Sequence, residues 1–207
     1  HCPNSGSMKG CAIPGSPAWI SDSQNPKRKL QHTLEILEVD GVLMCVNTQR
    51  PNALVEEAIR NEVIAELSGY DSLRREVRYG EERSRIDLLL ERDDARCFVE
   101  VKNVTFGLTD GVALFPDSVT TRGTKHLREL IKVVESGDRA VLVFCASRVD
   151  TRVVQPADDI DPTYGKTLRE AHAAGVEILA YGLEIDPPSL LLKRPVEVRL
   201  PPLGQAS

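Results

Sequence analysis

Three side chains stand where a strand pattern would otherwise be apolar. Asp87 falls between Ile86 and Leu88, and Glu100 and Lys102 alternate with Val99 and Val101. Two carboxylates and a lysine so placed are suited to phosphoryl chemistry. Carboxylate oxygens hold Mg²⁺ or Mn²⁺, hard ions that keep part of their water shell. Such an ion polarises a scissile phosphate and lowers the pKa of a bound water. A lysine alongside can orient that water and stabilise the extra charge of the transition state. The blander reading makes Glu100 and Lys102 a surface ion pair and Asp87 a strand-end residue. A bare Asp-x12-Glu-x-Lys spacing does not decide between the two.

The elements around these residues must position them. Ile86 to Leu90 and Cys97 to Val101 read as adjacent strands, with the polar segment Glu91 to Arg96 as their turn. Residues two apart on a strand share a face, so Glu100 and Lys102 point together while Val99 and Val101 point into a core. Arg74 to Tyr79 reads as the preceding strand and Gly80 to Arg83 as its turn. Upstream, Pro51-Asn52 is a helix start, and Leu54, Val55, Ala58, Ile59 and Val63 give a helix over Ala53 to Leu67 a buried stripe. Glu57 lies at the edge of that stripe. It is either a solvated glutamate beside Glu56 or a third carboxylate aimed at the site.

After Asn103 comes an irregular stretch with Gly107, Gly111 and Pro116-Asp117. A second helix starts at Thr120 or Thr121, carries Leu127, Leu130, Ile131 and Val134 at helical spacing, and stops at Gly137. Its first turns hold Arg122, Lys125 and His126. Cations there oppose the helix dipole, which is favourable only if an anion such as phosphate sits among them; otherwise Lys125 and His126 are simply solvated. Arg139 to Cys145 is a buried strand, Asp161-Pro162 opens a third helix that ends at Gly175, and Val176 to Tyr181 is the next strand. Leu190 to Leu200 is a last extended segment, interrupted by Pro195. The order α-β-β-β-α-β-α-β predicts a mixed sheet flanked by helices, an α+β fold.

Residues 1–50 differ in character. They are rich in Gly, Pro, Ser and Asn, with a short strand at Ala18 to Ser21 and a hairpin of Leu34 to Val39 and Val42 to Asn47 around Asp40-Gly41. This module reads as part of a small β-barrel, followed by a larger domain over 51–207. Its Lys27-Arg28-Lys29 run is either a phosphate contact or a solvated loop. The sequence starts at His1 without a signal-peptide pattern, and the first module is expected to be N-terminally incomplete.

Bulk properties narrow the function. The chain has 207 residues, 41% hydrophobic and 28% charged, with no apolar run of membrane-spanning length and no membrane partner expected. Its net charge of −5 means that any nucleic-acid surface must be local. The five cysteines have scattered spacings and no CxxC pair. Cys45, Cys97 and Cys145 fall in strand patterns as reduced core residues, which predicts a cytoplasmic location and no zinc site. Nothing indicates an organic cofactor. Aromatic content of 4% leaves few stacking platforms for single strands.

The Asp87…Glu100-x-Lys102 pattern resembles the PD-(D/E)xK nuclease superfamily, and the predicted element order matches its core. A wider resemblance is to the sugar fermentation stimulation protein A family. It is carried by HCPNSGSM at 1–8, KRK at 27–29, VNT at 46–48, ELSGY at 66–70, EVRYG at 76–80, SRIDLLL at 84–90, VEVKNVT at 99–105, FPDSVTTRGTKHLREL at 115–130 and GVEILAY at 175–181. The resemblance implies an OB-like β-barrel that begins before the HCPN block, followed by a nuclease-like domain. It implies a cytoplasmic DNA-binding protein of little sequence preference, linked to maltose metabolism. Carried over by motif, Asp87 and Glu100 would be metal ligands, Lys102 the catalytic lysine and Glu57 a supporting acid. Arg85, Asp117, Thr121, Arg122, Lys125 and His126 belong to the same blocks, the cations as phosphate contacts and Asp117 and Thr121 near the site. Two functions are implied: a Mg²⁺- or Mn²⁺-dependent nuclease, or a non-catalytic DNA-binding regulator. A homodimer is the expected assembly.

Overall fold

The computed structural model describes residues 1–4, 6–8, 10–80 and 84–202. Near the N-terminus, β1 (Ala18–Asp22), β2 (His32–Val39) and β3 (Val42–Cys45) form an antiparallel three-stranded sheet in sequence order. The β2–β3 turn is Asp40-Gly41, both at positive φ (52° and 78°), the conformation this dipeptide favours in a two-residue hairpin.

The helix α1 (Pro51–Arg60) follows, with proline at its first position. It is shorter than the predicted Ala53 to Leu67. Glu62 turns left-handed (φ 56°), Val63 N–H donates to Ala58 O at 2.8 Å and Glu62 N–H to Ile59 O at 3.0 Å. This pair of bonds ends the helix as a Schellman motif, built without the usual glycine. Val63 and Ile64 are apolar because they pack beyond the helix end; Ala65–Leu67 adds a single 3₁₀ turn.

The remaining elements are β4 (Ser72–Tyr79), β5 (Ser84–Arg92), β6 (Ala95–Val104), β7 (Val112–Phe115), α2 (Thr121–Glu135), β8 (Arg139–Ala146), β9 (Val153–Pro156), α3 (Pro162–Ala173), β10 (Glu177–Asp186), β11 (Ser189–Pro195) and β12 (Glu197–Val198). Six strands make one mixed sheet in the order β11-β10-β8-β6-β5-β4. The β4-β5-β6 meander is antiparallel, β6-β8-β10 are parallel, and β11 pairs antiparallel at the edge. A second small sheet, β12-β9-β7, joins a short strand inside the irregular stretch after Asn103 (β7) to one between β8 and α3 (β9) and one in the last extended segment (β12). Of the predicted Gly80 to Arg83 turn, residues 81–83 lie outside the described residues.

Both helix starts on the far face are capped by a side chain, Asp161 in the role its place before Pro162 predicts and Thr120 at one of the two expected starts of α2. Thr120 Oγ1 accepts from Gly123 N at 3.0 Å, and the Asp161 carboxylate accepts from Tyr164 N at 2.9 Å. Asp161 also accepts from Thr120 N at 2.8 Å, so one carboxylate ties the α2 start to α3.

The large sheet separates two cores. On one face Leu88, Leu90, Val99, Val101 and Val143 pack against α1; on the other Phe98, Leu142 and Phe144 pack against α2 and α3. Ile36 and Cys45 of the first sheet join the α1-side core, and Cys45 N–H donates to Ser147 O at 2.8 Å, so residues 1–50 are sutured to the rest. Cys45, Cys97 and Cys145 are buried thiols, and burial pushes Cys45 and Cys97 up to about 11.

Candidate metal centre

The site forms where β5 parts from β6. The two strands pair from Arg92↔Ala95 as far as Leu88↔Val99, and the pairing stops there. The β4–β5 ladder also skips one step, between Arg75↔Leu88 and Val77↔Ile86, where Glu76 is left-handed (φ 53°) opposite Asp87. Across the break the strand changes face: Leu88 belongs to the α1-side core and Ile86 to the α2-side core. Asp87 therefore sits in the seam itself. Its Oδ2 accepts from Val101 N at 2.7 Å, replacing the ladder bond that β5 no longer supplies. Its Oδ1 accepts from Asn52 Nδ2 at 2.8 Å, a bond from the first turn of α1.

Glu100 lies on the α2 side of β6 and is 1% exposed. Its Oε1 accepts from Lys102 Nζ at 2.5 Å and from His126 Nδ1–H on α2. His126 Nε2 in turn accepts from Arg122 Nε at 3.4 Å, so both bonds fit a neutral ring with its proton on Nδ1. Glu100 Oε2 is buried and has no hydrogen-bond partner among the described residues.

The charges respond to this packing. Burial, and then the Glu100 charge, push the Asp87 carboxyl up to about 6, against the lowering effects of Val101 N–H, Lys102 and Asn52. Burial works against Glu100 most strongly too, but the His126 bond and Lys102 outweigh it and hold that carboxyl below its ordinary value. The Tyr79 hydroxyl is raised chiefly by its own burial and then by the negative charges of Glu100, Glu129 and Asp87.

Of the expected site residues, Asp87, Glu100 and Lys102 converge. His126 is brought in too, as a buried partner of a carboxylate rather than an exposed phosphate contact; its place on the inward stripe with Leu130 and Val133 explains this. Glu57 is not brought in. It is exposed, and it lines a cavity to which Asp87, Glu100 and Lys102 contribute nothing. The α1 residue that reaches the site is Asn52, hidden in the sequence within a helix-start signal. Glu129, one turn beyond His126, was also missed: Oε1 binds Lys132 at 3.0 Å, and buried Oε2 has no partner among the described residues.

Arg122 and Thr121 are exposed at the start of α2, and Lys125 is half-buried there. Arg85 is exposed and stands directly opposite exposed Arg78 on β4, and neither is paired with a described carboxylate. Like charges so placed repel unless an anion lies between them. Lys27, Arg28 and Lys29 lie on the β1–β2 loop, where Arg28 Nη2 bonds Thr33 Oγ1 at 3.1 Å; none of them bonds a site residue. Asp117 anchors the N-terminal segment: its Oδ2 accepts from Ser7 N at 2.9 Å and from Ser7 Oγ at 3.1 Å.

Comparison with known proteins places this arrangement. A family model described as "Sugar fermentation stimulation protein RE domain" matches residues 49–189, and one described as "SfsA N-terminal OB domain" matches residues 1–46. The chain belongs to the SfsA family. It is similar to a sugar fermentation stimulation protein homolog of Thioalkalivibrio sulfidiphilus, 54% identical over 204 residues (99% of this chain, 86% of that one). A homolog of Geotalea uraniireducens is 57% identical over 201 residues (97% and 86%). Among solved structures, that of Pyrococcus furiosus SfsA, described as in complex with Ca²⁺, superimposes with a TM-score of 0.86 at 30% identity (96% of this chain, 84% of that one).

Proposed function

We propose that this SfsA-family chain is a DNA-binding protein of little sequence preference that hydrolyses phosphodiester bonds with a divalent metal held by Asp87 and Glu100. The observation that carries the reading is the convergence at the β5–β6 parting, where Glu100 Oε2 is buried and unpartnered among the described residues. An orphaned carboxylate oxygen in a buried site is costly unless something meets it. A hard cation meets it and also screens Asp87 from Glu100. The residues thus fit Mg²⁺ or Mn²⁺, and a relative described as in complex with Ca²⁺ supports an oxygen-liganded ion in this family.

When bound, the ion would polarise the scissile phosphate and acidify a water. The rest falls to side chains. His126 fixes Glu100 from behind through Oε1 and leaves Oε2 for the ion. Asn52 and Val101 N–H orient Asp87. Lys102 presents its ammonium beside Glu100, where it can stabilise negative charge that grows on the phosphate. Arg78, Arg85 and Arg122 would track the DNA backbone, so binding should weaken steeply with salt.

One observation favours a second reading, a DNA-binding regulator without catalysis: among the described residues, no group of three or more His, Cys, Asp or Glu is arranged to hold a metal. In either reading, a role in sugar use, maltose included, would follow from action on DNA.

The test is cleavage of labelled duplex, nicked, flapped and single-stranded DNA with Mg²⁺ or Mn²⁺, by the parent protein and Lys102→Ala. Cleavage lost in the variant while DNA binding persists supports the nuclease. Binding without cleavage by either protein supports the regulator.

A further inference from the structure

A cavity of about 410 Å³ opens between the three-stranded sheet and α1, at the lower end of the ~300–1,000 Å³ range of small-molecule clefts. It contains none of Asp87, Glu100 or Lys102, so a ligand held there does not depend on whether the chain cleaves DNA. One wall is a single stripe made by the N-cap residue of α1, Arg50, and by Ala53, Leu54 and Glu57 on the helix, at i, i+3, i+4 and i+7. The facing wall is Trp19 and Ile20 of β1, and Pro188 of the β10–β11 turn and Leu190 of β11 close the end. Ile20 is 59% exposed, an apolar side chain with little protein cover.

The stripe has a fixed cation at one end and an anion at the other. Arg50 gives Nε and Nη2 to buried Glu35, each at 2.8 Å, and Glu35 is further held by Ser21 Oγ (2.7 Å) and Asn47 Nδ2 (2.9 Å). The guanidinium is thereby locked in orientation, and its Nη1 has no partner among the described residues. Glu57 is exposed and unpaired among the described residues, since Arg60 is taken by Glu56. Seven residues of helix separate the two ends by about 10 Å. A flat bicyclic ring with a hydrogen bond at each end spans that distance.

We propose that this cavity is a binding site for an unpaired purine base, with guanine the best fit. Guanine offers N7 and O6 as acceptors on one edge, which Arg50 Nη1 can reach. Its opposite edge carries N1–H and the N2 amino group, two donors that the Glu57 carboxylate can accept together. Between the ends, Trp19 supplies a stacking face and Leu54 and Leu190 an apolar one. Two alternatives fit worse. A pyranose would leave hydroxyls unpaired against the aliphatic middle of the stripe. A phosphate would meet Glu57 and Glu35 against a single Arg50, so the base enters and its backbone stays outside.

Trp19 is the only tryptophan of the chain, so its fluorescence reads this cavity alone. The full chain, in EDTA, would be titrated with guanosine, adenosine, thymidine and maltose, and with an oligothymidylate that carries one central dG or none. Calorimetry run in parallel keeps a silent indole from being taken for absent binding. Guanosine should bind saturably, adenosine more weakly, thymidine about 10-fold more weakly and maltose not at all, and Glu57→Gln should weaken guanosine about 10-fold without moving the melting temperature. If the dG oligonucleotide changes Trp19 fluorescence saturably and the plain one, held elsewhere by its backbone, does not, the base is taken from a strand; if only guanosine changes it, the ligand is a free nucleoside. Either result sustains the site. Equal binding of thymidine or maltose, no saturable binding at all, or a Glu57→Gln titration that superposes on the parent's would overturn it.

Discussion

Asp87→Asn should make the metal-free protein more stable. Burial and Glu100 raise the Asp87 carboxyl from 3.8 to about 6 in the fold. At about 1.4 kcal/mol per pH unit, the charged form costs the native state at most about 3 kcal/mol, and partial access to solvent reduces the expectation to about 1–2 kcal/mol. The substitution removes that cost and keeps the geometry. The introduced amide can accept from Val101 N–H through its oxygen, and a flip of the Asn52 amide lets Asn52 accept from its nitrogen. The sign of the pH dependence comes from the direction of the shift. A carboxyl raised in the fold binds more protons native than unfolded, so native stability declines as pH rises from about 4 to about 6 and then levels off. The gain from Asp87→Asn should be small near pH 4 and close to full above about pH 6. Urea unfolding in EDTA across pH 4–8 measures it, and the melting temperature at pH 8 should rise by about 2–8 °C. With Mg²⁺, Mn²⁺ or Ca²⁺ added, the parent should gain stability and the variant much less. The reasoning fails if Asp87→Asn is no more stable than the parent at pH 8 in EDTA, or if its advantage does not shrink towards pH 4.

Three further outcomes are expected. His126→Ala removes a hydrogen bond to a buried carboxylate; it should cost about 1.5–3 kcal/mol in urea unfolding and weaken Mn²⁺ binding about 10–100-fold by calorimetry. Glu35 is opposed by burial but held below its ordinary value by Arg50, Ser21 and Asn47, so its stabilisation is complete above the unfolded carboxylate range and is lost as pH falls through its lowered folded pKa. Glu35→Gln should therefore flatten the acid limb of the stability profile, read as urea midpoints from pH 3 to 6. Asp117→Ala removes the two hydrogen bonds this carboxylate accepts from Ser7, which should cost about 1 kcal/mol and speed hydrogen exchange at Ser7 while leaving α2 protected.

The architecture was legible where side-chain chemistry and backbone geometry say the same thing. Asp40-Gly41, Thr120 and Asp161 each mark a boundary because their own side chains or φ values make it. The end of α1 was not legible, since Val63 and Ile64 continue a helical stripe and Glu62 is not a residue that announces a left-handed turn. The strands β7, β9 and β12 are four, four and two residues long, too short to show a period, and they exist only because they pair with one another.

The candidate site divides in the same way. Glu100 and Lys102 could be read as neighbours because two-residue spacing along a strand fixes their common face. Glu57 was misplaced because a helix offers a carboxylate in several directions, and position at the edge of a stripe does not say which neighbour that edge meets. Asn52 and Glu57 are five residues apart, about 140° around α1, so only one of them can face Asp87. Asp87 itself works through an event that no strand pattern encodes, the point where β5 leaves β6. A regular ladder would satisfy Val101 N–H with backbone and send residue 87 to one face. The parting instead obliges a side chain to take that bond, and a carboxylate can do so with one oxygen while the other stays in reach of Asn52. The residue that mends the ladder is thus the same one proposed to hold the metal, which ties the opening of the sheet to the chemistry at its edge.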